Sequence, residues 1–124
     1  MLTVRELKGE RRAIAALGDM LELGSESESS HRDVGRLAAT CIDRLYLFGE
    51  MAMVTAEAAV EAGMEPGEIV VVASHNEIVN DMVKDHIDGD FIIVKGSRGM
   101  RMDLVSSALR ENFSSPAYQA GGRG

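Results

Sequence analysis

The stretch FIIVKGSRGMRMDLV, residues 91–105, decides the fold, because it passes from a strand through a glycine-containing loop into a helix without a break. Phe91–Val94 is a short apolar run that is typical of a buried strand. Gly96 and Gly99 allow the backbone to turn closely after that strand. The segment Met102–Asn112 is predicted to be the helix that follows. A strand that leads directly into a helix is the repeating unit of a parallel sheet.

Three further strand–helix units are predicted upstream. Each begins with a short apolar run, and the three predicted strands are Arg12–Leu17, Arg44–Phe48 and Ile69–Ala73. One helix follows the capping residues Ser25–Ser29, a second covers Glu50–Ala62, and a third, opened by a capping box at Ser74 and Glu77, ends near Ile87.

The apolar patterns also predict which side chains face the core. The continuous run Ile69–Ala73 is typical of a strand that is covered on both faces. In the first helix Val34, Leu37, Ala38 and Cys41 recur at helical spacing, so this stripe, Cys41 included, is predicted to be buried.

The alternating order predicts an α/β, Rossmann-like fold with a mostly parallel sheet, helices on both faces and about four βα units. Ligands of such sheets bind beyond the carboxyl ends of the strands. The loops that leave those ends with distinctive chemistry are Gly18–Gly24, Gly49–Glu50 and Lys95–Arg101.

Composition narrows the class of protein. The 124 residues suit one domain, predicted over 12–112 with a lead-in at 1–11 and a flexible Gly- and Ser-rich tail at 113–124. The net charge of −7 argues against a nucleic-acid partner. A single cysteine and the absence of an apolar run of about 20 residues favour a cytoplasmic protein without a membrane span. We expect a monomer.

The Lys95–Arg101 loop carries the strongest chemical signal. Lys95, Arg98 and Arg101 place three cations within seven residues of an otherwise acidic chain. An arginine can hold a carboxylate through two parallel hydrogen bonds, and Ser97 adds a hydroxyl. The functional interpretation is a carboxylate or phosphate pocket, and the alternative is a glycine-rich turn with solvated charges. The P-loop pattern G-x-x-x-x-G-K-[ST] is absent from the sequence.

The GDMLELG loop, residues 18–24, is unusually apolar. Leu21 and Leu23 are predicted either to fold back on the core or to form one wall of a small-molecule site. In the second case Asp19 or Glu22 faces an ammonium group.

The histidines show no metal-ligand spacing, and no catalytic grouping stands out. His75 and His86 are predicted to lie on helix surfaces. His31 lies beside the GDMLELG loop, and we favour a structural role for it over a place at the border of a pocket.

Two motifs carry a family resemblance. AIAALGDMLELGSESESSHRDVG, residues 13–35, and VKGSRGMRMDLV, residues 94–105, resemble segments of the D-alanyl-D-alanine-adding branch of the Mur ligase family. RLYLFGE lies between them in the expected order, and Asp103 stands where the family usually has Glu.

The resemblance implies the C-terminal domain of a three-domain ATP-dependent ligase. In that reaction ATP phosphorylates the peptide carboxylate of UDP-N-acetylmuramoyl-tripeptide, and the amine of D-alanyl-D-alanine attacks the acyl phosphate. The resemblance places ATP and Mg²⁺ mainly outside this stretch and no catalytic or metal-binding residue within it. The substrate-binding residues that it implies here are Lys95, Ser97, Arg98, Asp19, Leu21, Leu23 and Gly49.

The sequence also departs from the family pattern. Neither the P-loop nor the D-[SA]-Y-N-A-N-P-like loop that usually opens the domain occurs before Arg12. We therefore expect that the first βα unit of the family domain is missing and that this chain alone is inactive. Two other hypotheses are a stand-alone flavodoxin-like regulatory module that takes a phosphoryl group on Asp19, and a vestigial domain without catalysis.

Overall fold

The computed structural model describes residues 6–7, 9–20, 25–85, 87 and 89–113. Along these residues four strands alternate with four helices of more than one turn: β1 (Ala13–Gly18), α1 (Ser27–Cys41), β2 (Arg44–Phe48), α2 (Ala52–Glu61), β3 (Ile69–Val72), α3 (His75–Asp85), β4 (Phe91–Lys95) and α4 (Asp103–Phe113). Short 3-10 turns cover Pro66–Glu68 and Arg98–Met100. The predicted order is confirmed, with element ends displaced by one or two residues.

The sheet has the strand order β3-β2-β1-β4, and all three pairs are parallel. The last strand crosses over to pair with the first, from Ala13 opposite Phe91 to Leu17 opposite Lys95. This pairing brings the ends of β1 and β4 together. The loops at Gly18 and Lys95, which are far apart in sequence, are therefore neighbours at the carboxyl edge of the sheet.

A separate apolar core covers each face of the sheet, so the Rossmann-like α/β prediction is confirmed. Successive residues of each strand alternate between the two cores, as Ile14 and Ala15 do in β1. Helices α3 and α4 cover one face through residues such as Ile78 and Val105. Helices α1 and α2 cover the other, where Ala38 of α1 packs with Ala59 of α2.

The buried face of helix α1 differs from the predicted apolar stripe. It buries His31, Gly35 and Ala38, whereas Leu37 is 65% exposed and Cys41 is only half-buried. The prediction that Cys41 lies in the core is therefore wrong. The reason is steric: Gly35 faces α2, and a Cβ built on it would lie 2.3 Å from the carbonyl oxygen of Thr55. Close helix contact at a glycine sets the rotation of α1, and the larger apolar side chains turn away.

Strand β3 also differs from its prediction. It lies at the edge of the sheet, and Val71 is 45% exposed, so the strand is not covered on both faces. The capping signal after it is confirmed, since Ser74 Oγ accepts a hydrogen bond of 3.2 Å from the backbone N–H of Glu77. The Glu77 carboxylate accepts a hydrogen bond from the N–H of Ala73, the residue before the cap, and not from Ser74 itself.

Partly exposed polar side chains around the buried Tyr46 tie the amino end of the sheet to α3. The Tyr46 hydroxyl accepts a hydrogen bond of 2.9 Å from Arg44 Nε and donates one to the carboxylate of Asp81. Burial raises the pKa of Tyr46 to about 12. The hydrogen bond from Tyr46, together with those from Arg44, holds the pKa of Asp81 below its usual value. Nearby, Arg12 forms two hydrogen bonds to the carboxylate of Asp90, at 3.2 and 2.8 Å.

Replacement of Gly35 by Ala is expected to destabilise the fold by roughly 1 to 3 kcal/mol, because the new methyl group must separate α1 from α2. Urea unfolding measures the change. Gly67→Ala is the matched control, since a Cβ there meets nothing within 4 Å. Equal stability of the two variants would contradict the proposed close contact.

Tyr46→Phe is expected to change how stability depends on alkaline pH. The tyrosine ionises near 10 when unfolded and near 12 when folded, so its contribution is complete below about pH 10 and is lost as the pH rises through about 12. The stability advantage of the wild type over the variant should therefore shrink across that window in urea titrations. A constant difference from about pH 8 to 12 would refute this coupling.

Candidate functional site

The cation-bearing loop of the sequence forms a cleft at the carboxyl edge of the sheet. This cleft has a volume of about 510 Å³. Three predicted site residues, Lys95, Ser97 and Arg98, line it, together with Arg101, Asp103 and Ser106. The fold thus brings the three predicted residues of this loop into one place.

Two glycines allow this loop to lie against the end of β1. A Cβ on Gly96 would come within 2.7 Å of Met102 Cγ and 3.2 Å of the Cα of Gly18. A Cβ on Gly18 would lie 3.0 Å from the same Met102 atom. A side chain at either glycine would displace Met102, and at Gly96 it would also press on the backbone of Gly18, so the two strand ends pack closely.

The charges of the loop are not equivalent. Arg101 donates two hydrogen bonds, of 2.9 and 3.0 Å, to the carboxylate of Asp103. That hydrogen bonding raises the pKa of Arg101 and lowers the pKa of Asp103. Lys95 and Arg98 are exposed, and neither forms an ion pair with any residue that the structure describes. These two cations are therefore the ones available to an anionic ligand.

Asp19 holds three strand ends together. Its side chain is buried and accepts hydrogen bonds from the backbone N–H groups of Glu50, at 2.8 Å, and Met51, at 3.1 Å. Glu50 and Met51 form the turn immediately before α2, and Met51 is its N-cap residue without a side-chain cap of its own. The carboxylate of the distant Asp19 therefore serves as the cap at this helix start. The carbonyl oxygen of Asp19 accepts a 2.9 Å hydrogen bond from the N–H of Ser97. Both carboxylate oxygens are thus engaged, which disfavours the hypothesis of a phosphoryl-accepting Asp19.

Gly49 lies against the Asp19 carboxylate and allows it to approach the start of α2. Its backbone has a φ of +122°, and a Cβ there would lie 2.4 Å from Asp19 Oδ1. Only glycine combines that backbone conformation with that close approach. A direct contact of Asp19 or Gly49 with substrate stays a prediction.

His31 fixes the chain just after Asp19. Its Nε2 atom accepts a 3.1 Å hydrogen bond from the N–H of Met20, and its Nδ1 atom lies 2.6 Å from the carbonyl oxygen of Ser27. Because a carbonyl only accepts, Nδ1 carries the proton and the ring is neutral. The favoured structural role is consistent with this geometry. Leu21 and Leu23 lie outside the described residues.

An apolar recess of about 530 Å³ adjoins the cleft. Its walls include Leu17 and Ile93 of the sheet and Val34, Leu37 and Cys41 of α1. Its lining also includes Asp19, Met20, His31, Lys95, Gly96 and Ser97. Of the stripe that the sequence assigned to the core, Ala38 is buried as predicted, whereas Val34, Leu37 and Cys41 line this recess with partly exposed side chains.

His75 was missed by the sequence analysis as a residue of this edge. Its Nε2 atom lies 2.7 Å from the carbonyl oxygen of Met100, and its ring centroid is 4.8 Å from that of Phe48. The side chain is half-buried, so His75 lies at the surface of α3 as predicted, but it also contacts two neighbouring elements. No periodic signal could find it, because its partners come from β2 and from the loop after β4. His86 lies outside the described residues.

Two features of the described residues concern metal ions and membranes. Within the described residues, no group of three or more His, Cys, Asp or Glu side chains is arranged to hold a metal ion. In the same part of the chain, no helix has the length and apolar character needed to cross a membrane.

The parallel sheet defines an α/β domain of the Rossmann-like class, with a candidate ligand-binding cleft at the strand ends. The family described as "Mur ligase, glutamate ligase domain" matches residues 1–98. The chain therefore belongs to the Mur ligase family, and the resemblance drawn from its two motifs is confirmed.

Two curated relatives bear the same name, UDP-N-acetylmuramoyl-tripeptide–D-alanyl-D-alanine ligase. The Bacillus subtilis (strain 168) protein is 29% identical over 107 residues, which cover 86% of this chain and 23% of the relative. The Escherichia coli (strain K12) protein is 32% identical over 114 residues, covering 86% and 22%. The chain thus spans less than a quarter of the length of these relatives.

Solved structures agree on the fold. MurF from Acinetobacter baumannii superposes with a TM-score of 0.65 at 24% identity, over 81% of this chain and 22% of that one. MurF from Thermotoga maritima in complex with ADP gives a TM-score of 0.63 at 23% identity, over 82% and 22%.

Replacement of Asp19 by Asn is expected to destabilise the fold by roughly 1 to 2 kcal/mol, because the amide weakens the cap of α2 and removes the charge at the helix start. Urea unfolding reports the loss, and hydrogen exchange should accelerate at the amides of Glu50 and Met51. Asp33→Asn, which breaks an exposed pair with Arg36, is the control and should cost at most about 0.5 kcal/mol. Equal effects of the two substitutions would argue against the cap.

Proposed function

We propose that this chain acts as the C-terminal, amino-substrate-side domain of an ATP-dependent ligase that joins D-alanyl-D-alanine to UDP-N-acetylmuramoyl-tripeptide in peptidoglycan precursor synthesis. Family membership and the shared name of the two curated relatives support this proposal. The observation that carries it is the strand-end cleft, in which Lys95 and Arg98 have no acidic partner among the described residues.

The cleft suits the carboxylate of the incoming dipeptide. Arg98 offers a planar guanidinium for two parallel hydrogen bonds, and Lys95 adds a second positive charge beside it. Ser97 places its hydroxyl in the same lining. The same groups also suit the phosphoryl group of an acyl phosphate, so the shared chemistry of the proposed ligand is an oxyanion.

The other predicted residues have indirect roles in this proposal. Asp19 and Gly49 keep the start of α2 and the loop at Ser97 in register, so that the cleft has a defined shape. Leu21 and Leu23 remain proposed wall residues beside Asp19. The adjoining recess presents apolar side chains, including Leu17 and Val34, close to the same edge.

ATP and Mg²⁺ are the cofactors of the proposed reaction. The sequence contains no P-loop, and the described residues hold no acidic cluster for a metal ion. We therefore propose that both are bound mainly outside this chain and that the contribution of this domain is to bind and orient the amino substrate. We also propose that the reaction takes place in the cytoplasm, where ATP and the nucleotide-linked precursor are available.

Arg98→Ala, made in the complete ligase chain that carries this domain, is expected to raise KM for D-alanyl-D-alanine by roughly 10- to 100-fold. The reason is that a hydrogen bond to a charged group contributes about 1.5 to 3 kcal/mol. Phosphate release with varied dipeptide concentration measures the change.

Arg110→Ala removes the same charge from the exposed last turn of α4 and serves as the control. Its KM should stay within about twofold of the wild type. An unchanged KM and kcat in a folded Arg98→Ala ligase would rule out the assignment of Arg98 to substrate binding.

A further inference from the structure

The loop between β4 and α4 turns sharply just after Met100. The N–H of Met100 donates to the carbonyl of Ser97 at 2.8 Å, and the N–H of Arg101 donates to the carbonyl of Arg98 at 3.1 Å. Arg101 itself has a φ of +51°, in the left-handed region that a residue with a Cβ rarely adopts. An arginine in this conformation needs support from its surroundings, since the loop by itself does not favour it.

His75 provides support at this turn. Its Nε2 atom lies 2.7 Å from the carbonyl oxygen of Met100, the residue that precedes the left-handed one. Because that oxygen only accepts hydrogen bonds, Nε2 must carry a proton and donate it. The bond fixes the peptide plane between Met100 and Arg101 and thereby limits the conformations of the turn.

The ring of His75 is in turn held by the end of a second strand. It contacts the ring of Phe48 with a centroid distance of 4.8 Å and an angle of 50° between the planes. Phe48 is the last residue of β2, directly before Gly49 and the cap formed by Asp19. The first residue of α3 thus links the end of β2 to the loop after β4.

We propose that His75 is a positioning residue: its hydrogen bond to Met100 holds the loop at Lys95–Arg101 in the conformation that presents Arg98 to the oxyanion ligand. The role in ligand binding depends on the proposed function, whereas the effect on the loop does not. A loop that is held in its binding conformation before the ligand arrives loses less conformational entropy on binding.

Two substitutions separate the hydrogen bond from the ring. His75→Gln keeps an N–H donor at a similar distance from the backbone but removes the aromatic contact with Phe48. His75→Phe keeps an aromatic ring against Phe48 but removes the donor. If the donor positions the loop, the two variants differ although both change the same residue.

The test uses the complete ligase chain. His75→Phe should raise KM for D-alanyl-D-alanine by about fivefold, the value expected for one lost hydrogen bond, with kcat changed by less than twofold. His75→Gln should restore KM to within about twofold of the wild type. Hydrogen exchange followed by mass spectrometry should show faster exchange in a peptide covering residues 95–102 for the Phe variant and not for the Gln variant.

The outcomes distinguish this inference from the proposed function. Wild-type exchange of residues 95–102 and wild-type KM in a folded His75→Phe ligase would overturn the positioning role. Equal defects in the Gln and Phe variants would also overturn it, because they would assign the effect to ring packing. If the Phe variant loosens the loop while Arg98→Ala leaves KM unchanged, His75 positions the loop but the loop does not bind the dipeptide.

Discussion

The hydrogen bonds of Asp19 are the interaction on which the candidate site depends. The carboxylate caps α2 through Glu50 and Met51, and the carbonyl of the same residue accepts from Ser97 in the loop after β4. One residue at the end of the central strand β1 therefore ties together the ends of three strands. Burial of a carboxylate costs free energy unless its oxygens accept hydrogen bonds. The charge of Asp19 can therefore stay buried only while the N–H groups of Glu50 and Met51 are within hydrogen-bond distance.

Two loop cations form a local positive site within an acidic protein. The chain carries a net charge of −7, so its overall field repels anions. Arg101 is paired with Asp103, so its charge is already compensated within the loop. Lys95 and Arg98 have no acidic partner among the described residues. Electrostatic attraction between such an exposed cleft and an anion extends over about one Debye length. Binding therefore depends on how the backbone positions Lys95 and Arg98, and not on long-range steering of the ligand.

Several features of the fold could be predicted because they depend on neighbouring residues in the sequence. The apolar runs and the capping box at Ser74 predicted the alternation of strands and helices, and the glycine-containing loop at residues 95–101 predicted the cationic cleft. The rotation of α1 could not be predicted, because it depends on the contact of Gly35 with the backbone of α2. The core assignment of Cys41 was wrong for this reason, and the prediction of full burial for β3 was wrong because that strand lies at the edge of the sheet. Periodicity shows which side of an element is apolar and not what covers it.

By itself the sequence determined the order of the elements, the family, and the residue types that gather at the carboxyl edge of the sheet. Those properties follow from local backbone preferences and from the two long motifs. Only the tertiary structure decided that Asp19 is a helix cap, that Arg101 is paired, and that His75 reaches the loop after β4. The physical reason is that each of these roles is a hydrogen bond between elements whose approach is set by the crossover of β4 to β1. A hydrogen bond of this kind requires a distance near 3 Å and a suitable angle, and the strand order and helix packing supply both.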